Sequence, residues 1–500
     1  MFSRRYQKTL NRYQDLLLPP SVDEYVSQNN TVRAIDAYVD TLDLYDLGFK
    51  HSELALSSGQ PAYNPSALLK LYLYGYMQGI RSSRKLERET CRNLEVMWLI
   101  EGLTPTYKTI ANFRKSNSAS LKATNRDFLL LCKELSLFGG EEVAVDGSFL
   151  KGDVSKDNIY TKDQLNKQLD DLEKNISVYQ EAIDQQDAAD NKAGKESLVE
   201  DEQLEEKLLL LQEKQKKKKA LQQSLKESGD KQVAIVDKDA RLLSKRGQTI
   251  AGYNAQIVVD SQHKLIIAEE VTQDGNDTQQ LAPMLAKTQE ILGTENITGL
   301  ADSGYYNSKQ IKACEDQGAT VYVPMPKYSD AVAKQGRFGR DEFHYDTEKD
   351  IYLCPQGSEL APSKKPVLKK KREVVIYKSK VAVCDECPLR SQCLPQKAKT
   401  RALERWVHEK VIERHKERMK QSDGMMKKRG AWVEHPFGTL KHRAGMHHFL
   451  MRGIEKCRGE FSLMVLGYNF TRVLNIQGAD FLRDYCIQRQ ENRLKNVKYA

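Results

Sequence analysis

The chain has 500 residues, 40% of them hydrophobic, with 78 Lys and Arg against 69 Asp and Glu for a formal net charge of +9. That length exceeds one ordinary core and predicts two or more domains, and the apolar share suffices for globular folding. No apolar run reaches the roughly eighteen residues of a membrane-spanning helix, which excludes a bilayer partner of that kind, while the basic excess favours a polyanionic one.

Met1 to Gln14 is basic and polar and lacks the apolar centre of a signal peptide, so a cytoplasmic location is expected. From Met1 to Phe138 the pattern is helical. Val32 to Leu47 carries Ile35, Tyr38, Val39, Leu42 and Tyr45 at helical spacing. Asn64-Pro65 opens the next helix, with Asn64 as N-cap and Pro65 at the first position. Ser82 to Leu94 reads as a charged helix. Thr106 or Thr109 caps a short helix expected to present Lys108, Asn112 and Arg114 outward. Helix, tight turn and helix, with basic and amide side chains on the last element, fit a helix-turn-helix reader of DNA; an ordinary helical bundle fits the same residues.

A Gly139-Gly140 break precedes Glu141 to Leu150, where Val143 and Val145 alternate with the period of a strand. Asp146 is expected near the exit of that strand, with Gly147 letting the backbone turn. Lys156 to Asp230 then changes character. Leu165, Leu169, Leu172, Ile176, Tyr179 and Ile183 form a heptad seam that lapses over Asp187 to Gly194 and resumes at Leu204, Leu208 and Leu211. This predicts an inserted antiparallel helical hairpin. Its basic run Lys214 to Lys219 is either a solvated helix face or a phosphate contact.

Strands are predicted again at Ala251 to Val259, Lys264 to Val271, Ile297 to Ala301 and Ala319 to Val323, with helices at Thr278 to Leu292 and Ser308 to Gln317. The order is that of an α/β fold, a mixed sheet with helices packed on it. Arg405 to Met419 reads as a charged helix and Phe461 to Val473 as an apolar one that closes the core. The expected organisation is a helical domain over 1–138 for DNA binding and an α/β catalytic domain over 139–324 and 403–500. The hairpin over 156–230 and a Cys-bearing insertion over 325–402 interrupt it.

Asp146 and Asp302 both fall at the ends of predicted strands, each with a Gly within two residues. Two such carboxylates in one sheet can share a divalent cation, and Mg²⁺ takes oxygen ligands while keeping water and phosphate in its shell. Glu434 would complete a two-ion site for in-line phosphodiester displacement. The alternative is that strand-end acids cap turns.

Val145-Asp146-Gly147-Ser148, Gly252-Tyr253-Asn254-Ala255-Gln256, Ala301-Asp302-Ser303-Gly304-Tyr305-Tyr306 and Val433-Glu434-His435-Pro436-Phe437-Gly438-Thr439-Leu440-Lys441 together resemble a bacterial insertion-sequence transposase of the DDE class. Pro65 to Arg114, with Leu73-Tyr74-Gly75-Tyr76 and Arg81-Ser82-Ser83-Arg84, resembles the helical domain that precedes the catalytic domain there. The resemblance implies an RNase H-like fold with Asp146 on the first strand, Asp302 after the fourth and Glu434 on a late helix. It implies two Mg²⁺ or Mn²⁺ ions on these three acids, and binding of double-stranded DNA at terminal inverted repeats. It further implies cleavage at the element's ends, joining to target DNA, and a homodimer that pairs two ends. Related transposases place a Tyr and an Arg seven and four residues before the Glu; here those positions are Lys427 and Gly430, and Arg429 is one residue off. Lys441 matches the basic residue seven after it, so Lys441 and Arg429 are candidate phosphate contacts. Pro436 requires that the helix either starts near Glu434 or kinks.

Cys384-x₂-Cys387-x₅-Cys393 with Cys354 upstream fits a structural Zn²⁺ site, or a cluster of free thiols. Asn254 and Gln256 share one face of their strand and are candidates to line the cleft. Two rival functions fit the same acids or the same charge: a metal-dependent nuclease without strand transfer, and a DNA-binding regulator with an inactive catalytic domain.

Overall fold

The computed structural model describes residues 21–53, 61–193, 198–245, 247–326, 335–369, 372–422 and 424–498. Met1 to Gln14, which carried the targeting expectation, lie outside them. Six helices come first: α1 (Thr31–Asp40), α2 (Pro65–Met77), α3 (Ser83–Arg92), α4 (Leu94–Leu99), α5 (Tyr107–Ser116) and α6 (Ser118–Glu134). The caps fall where side-chain chemistry puts them. Asn64 accepts from the Ser66 N–H with Pro65 at the first turn, and Thr106 accepts from the Thr109 N–H. Helix α1 stops at Asp40, short of the expected Leu47. Thr41 donates its hydroxyl to the Tyr38 carbonyl, and the Asp43 carboxylate accepts from the Tyr45 and Asp46 N–H groups. These local bonds offer the backbone an alternative to the helix.

Strand β1 (Glu142–Lys151) leads into β2 (Ile159–Thr161), then α7 (Lys162–Ala193), α8 (Leu198–Ser228) and β3 (Gln232–Ala234). β2 and β3 pair antiparallel at the foot of a helical hairpin. Gln222 Nε2 donates to Asn166 Oδ1 across it at 2.7 Å, and Lys218 reaches Gln168, so the arms run antiparallel. Leu165, Leu169, Ile176 and Leu225 are buried in the seam. The lapse expected from Asp187 does not end the helix, which continues to Ala193; Gly194 lies outside the described residues.

The sheet is completed by β4 (Arg241–Lys245), β5 (Gln248–Asp260), β6 (Ile266–Thr272), β7 (Thr298–Leu300) and β8 (Thr320–Tyr322), with α9 (Leu281–Leu292) and α10 (Ser308–Asp316) between the last strands. β1 is central. It runs antiparallel to β5 on one side and parallel to β7 on the other, β8 continues parallel beyond β7, and β4 and β6 both pair with β5. The close approach of β1 and β5 requires Gly252, because a Cβ there would lie 2.0 Å from the Leu150 carbonyl oxygen.

A second sheet follows, built from β9 (His344–Asp346), β10 (Ile351–Leu353), β11 (Glu359–Pro362), β12 (Val367–Lys369) and β13 (Arg372–Lys378). After α11 (Val381–Asp385) and α12 (Arg390–Cys393), β14 (Ala402–Trp406) joins β13. Phe343, Tyr352, Leu360, Tyr377 and Leu403 give this sheet its own core. The expected helix from Arg405 begins later, as α13 (Glu409–Lys420), because Arg405 is a strand residue whose guanidinium pairs with Glu413 at 2.5 Å. The chain closes with α14 (Met425–Gly438), α15 (Ile454–Gln477) and α16 (Ala479–Lys498). Among the described residues no helix is long and apolar enough to cross a membrane.

One face of the main sheet buries Val143, Val145 and Val258 against α9, α10 and α13. The other buries Ala144, Leu150, Ala255 and Ile257 with α14 and α15, and that core runs on without a break into α1, α2, α5 and α6. Glu460 on α15, 1% exposed, is the polar centre of this junction. It takes Arg81 Nη2 at 3.0 Å, has Arg114 Nη1 at 3.8 Å, and accepts from the Leu450 and Met451 N–H groups. Arg81 also donates to the carbonyls of Gly445 and His448, both at 2.6 Å. Arg114 therefore faces inward, donating to the Tyr76 hydroxyl at 2.9 Å, and is not part of an outward DNA-binding face as its helix position had led us to expect. Burial, with the Glu460 charge adding to it, pushes the Tyr76 phenol up to about 12. Replacing Arg81 by Met leaves Glu460 short of its closest cation and frees two carbonyls. The expected loss is about 3–5 kcal/mol of unfolding free energy in a denaturant titration.

Candidate catalytic site

Asp146 lies inside β1, not at its exit, and Gly147 continues the strand. What ends there is the parallel pairing. Ala144 is opposite Leu300, the last residue of β7, and the same register sets Asp146 beside Asp302 in the turn that follows. Asp302 caps a turn, as the alternative for strand-end acids had it. Its Oδ1 accepts from the Gly304 N–H at 2.8 Å and caps a 3₁₀ turn, while Oδ2 stays on the side of Asp146.

Helix α14 crosses this edge and delivers Arg429. Its Nη2 donates to Asp146 Oδ1 at 2.5 Å and stands 4.0 Å from Asp302 Oδ2. A guanidinium so placed is a positive charge between two carboxylates. Lys441 reaches the hydroxyl of Ser148, which shares the Asp146 face of β1 two residues on. The helix does not start near Glu434 but at Met425, with Pro436 inside its last turn, and a π-helical turn over Thr439–Arg443 follows it. Lys441 projects from that turn.

Glu434 is exposed, on the same helix as Arg429. Five residues turn a helix by roughly 140°, so with Arg429 directed at Asp146 the Glu434 side chain points elsewhere. Its Oε1 lies 3.7 Å from where a Cβ on Gly430 would stand, and the missing side chain there leaves the carboxylate room along the helix. Among the described residues no three His, Cys, Asp or Glu side chains form a group able to hold an ion as placed. The structure thus unites Asp146, Asp302 and Arg429, sets Lys441 beside them, and leaves Glu434 outside the group.

Among the described residues the four cysteines likewise form no group able to hold an ion as placed. Burial raises the Cys393 thiol above its usual range, with Cys384, Cys354 and Cys387 adding to the rise and Arg401 opposing it, so the four share a neighbourhood. Cys384, however, donates to the Ser379 hydroxyl at 2.9 Å, and the set does not close to ligand spacing. On α5, Lys108 and Asn112 are exposed as expected, and α5 packs against α3.

Asn254 and Gln256 line no open cleft. Both are fully buried on the reverse face of the sheet, bonded to Asp277 and Tyr305. The sequence did not single out Asp277, and Tyr305 entered only as part of the motif around Asp302. Asp277 sits in the loop before α9 and carried only the signal of a turn-forming Asp. The Tyr305 phenol is held well above its usual range by burial first, then by the negative charges of Asp277, Asp146 and Asp302, against the opposing Arg429.

Comparison with known proteins gives two family matches. Residues 353–474 match the transposase DDE domain, and residues 20–116 match a transposase domain designated DUF772. The first covers Arg429, Glu434, Lys441 and the four cysteines; the second covers Lys108, Asn112 and Arg114. Together these two matches indicate an insertion-sequence transposase of the DDE class. No curated protein matched. A solved structure described as a piggyBac transposase synaptic complex with hairpin DNA aligns over 93% of this chain and 82% of that one, at 9% identity and a TM-score of 0.32, a likeness too slight to carry an argument.

Gly147 is the residue on which the site's geometry can be tested without touching an acid. A Cβ there would lie 2.2 Å from Gln256 Nε2 and 2.9 Å from Asp277 Oδ1, both buried. Gly147→Ala is expected to lose roughly 1–3 kcal/mol in chemical denaturation, the usual penalty for overpacking a filled interior.

Proposed function

We propose that this transposase binds the terminal inverted repeats of its element, cleaves DNA at their ends and joins the freed 3′ ends to target DNA, using Mg²⁺ or Mn²⁺ held by Asp146 and Asp302, with Glu434, outside their group as placed, joining as the third ligand only after a movement of its helix. The observation that carries this is the Arg429 guanidinium between Asp146 and Asp302, 2.5 Å from one and 4.0 Å from the other. Positive charge is already accommodated between two carboxylates at a strand edge, and carboxylate oxygens are the donors a hard divalent cation takes. The sheet order supports an RNase H-like reading, since β1 is central, antiparallel to β5 and parallel to β7 and β8.

When bound, a pair of such ions activates the attacking oxygen and stabilises the leaving one. The chain's own residues supply the rest. Lys441, held at Ser148, presents an ammonium to a phosphate beside Asp146. Arg429 would keep its charge if it left Asp146, and would then serve as a second phosphate contact. Lys108 and Asn112, exposed on α5, contact the DNA end. Arg114 has no such role. Water attacks the phosphodiester at the element's end, the P–O3′ bond breaks, and the element keeps a 3′-hydroxyl while the flank keeps the 5′-phosphate; that hydroxyl then attacks a target phosphodiester, joining to its 5′ side as the target's own 3′-hydroxyl leaves. Pairing of two ends requires two copies of the chain.

Asp146→Asn and Asp302→Asn are each expected to lower end cleavage by roughly 10³-fold, the several kcal/mol that an ion contributes, while a gel-shift assay shows end binding intact. Undiminished cutting in either variant rejects the assignment. Nicked but never joined products from the unaltered chain select a nuclease, and binding without cleavage in Mg²⁺ or Mn²⁺ selects a regulator.

A further inference from the structure

We propose that Gln256, Asp277 and Tyr305 are positioning residues of this site, a buried polar brace that holds the backbone after Asp146 and the turn after Asp302 in fixed relation. The inference rests on the reading of Asp146 and Asp302 as ion ligands. It concerns three side chains that lie on the far face of the sheet and touch neither DNA nor ion.

The brace is continuous. Gln256 is opposite Gly147 in the β1–β5 register, and its amide lies flat beneath that residue, in the space a Cβ would fill. Gln256 Nε2 donates to Asp277 Oδ1 at 2.8 Å and to Asn254 Oδ1 at 2.9 Å. Asn254 Nδ2 donates to the same Asp277 oxygen at 2.8 Å. Gln256 Oε1 accepts from the Tyr305 hydroxyl, and Tyr305 is the last residue of the 3₁₀ turn that Asp302 caps. Asp277 accepts only, so it dictates which way the Gln256 amide faces; that in turn leaves Oε1 for Tyr305. One carboxylate therefore sets the orientation of a group that grips both segments bearing the catalytic acids.

Burial makes this rigid. Asn254, Gln256 and Tyr305 are each 0% exposed and Asp277 is 4% exposed. A polar group left unmatched in such a setting is expensive, so the network has one arrangement and not several. The glycines agree. Gly147 and Gly304 each follow a catalytic Asp, and a Cβ on Gly304 would lie 2.9 Å from Asp302 Oδ1 and 3.7 Å from Asp277 Oδ2. Groups of this kind behind metal ligands orient the ligands, and their loss typically weakens ion binding.

The test titrates the full-length chain with Mn²⁺ alone and follows free Mn²⁺ by its electron paramagnetic resonance signal, with thermal unfolding recorded alongside. Tyr305→Phe keeps the ring in its apolar bed and removes only the hydroxyl. It is expected to weaken Mn²⁺ binding roughly tenfold or more. Asp277→Ala is expected to do the same, and Asp277→Asn, which keeps a carbonyl acceptor, to recover most of the affinity. If Asp277→Ala fails to fold, Tyr305→Phe decides alone. Wild-type Mn²⁺ affinity in a folded Tyr305→Phe, with only the melting temperature lowered, reduces the brace to ordinary packing and overturns the proposal. Asp146→Asn separates this from the reading beneath it. If that variant loses Mn²⁺ and Tyr305→Phe does not, the brace alone is wrong; if no Mn²⁺ binding depends on Asp146, the ion site is wrong and the brace falls with it.

Discussion

The parallel pairing of β1 with β7 is the constraint on which the rest depends. Its register, Ala144 opposite Leu300, carries two acids far apart in sequence to adjacent positions at the point where the shorter strand stops. Like charges so placed repel, and the fold admits them only with positive charge nearby. Here that charge is Arg429, from a helix encoded near the other end of the chain. The site is thus a property of three segments, none of which holds it alone.

Helix α14 can serve this site because it is anchored at its exit. The segment after the π-helical turn is gripped by Arg81, which donates to the carbonyls of Gly445 and His448 while pairing with Glu460. Arg81 belongs to the helical region ahead of the sheet, and Glu460 to α15 behind it. The N-terminal helices therefore share a core with the sheet and also fix the end of the helix that presents Arg429, Glu434 and Lys441. With Arg429 turned to Asp146, Glu434 is exposed and outside their group as placed, consistent with the roughly 140° of helix rotation between the two residues.

Much of this was legible before any coordinates. The Asn64-Pro65 cap, the heptad seam of the hairpin, the alternating strand at Val143 and Val145 and the acid-glycine pairs at Asp146 and Asp302 are local signals, and each marks a local structure. What sequence could not show was direction and distance. The spacing around Ile110 and Phe113 marks a helix but does not say that Arg114 turns inward, because its partner Glu460 lies far along the chain. The second sheet was unread because its strands are short, and its core rests on crossing aromatics, Tyr345, Tyr352 and Tyr377, with Arg405 3.6 Å above the Tyr345 ring. Asp277 looks like any turn residue until Gln256 and Asn254 are seen to converge on it.

The central claim is that the space between Asp146 and Asp302 takes a divalent cation in exchange for a guanidinium. Crystals of the protein soaked in Mn²⁺ and measured for anomalous scattering address it directly. The account predicts a peak about 2.0–2.6 Å from carboxylate oxygens of both Asp146 and Asp302, with Arg429 moved off Asp146. A map with Arg429 still seated on Asp146 and Mn²⁺ bound only elsewhere contradicts it.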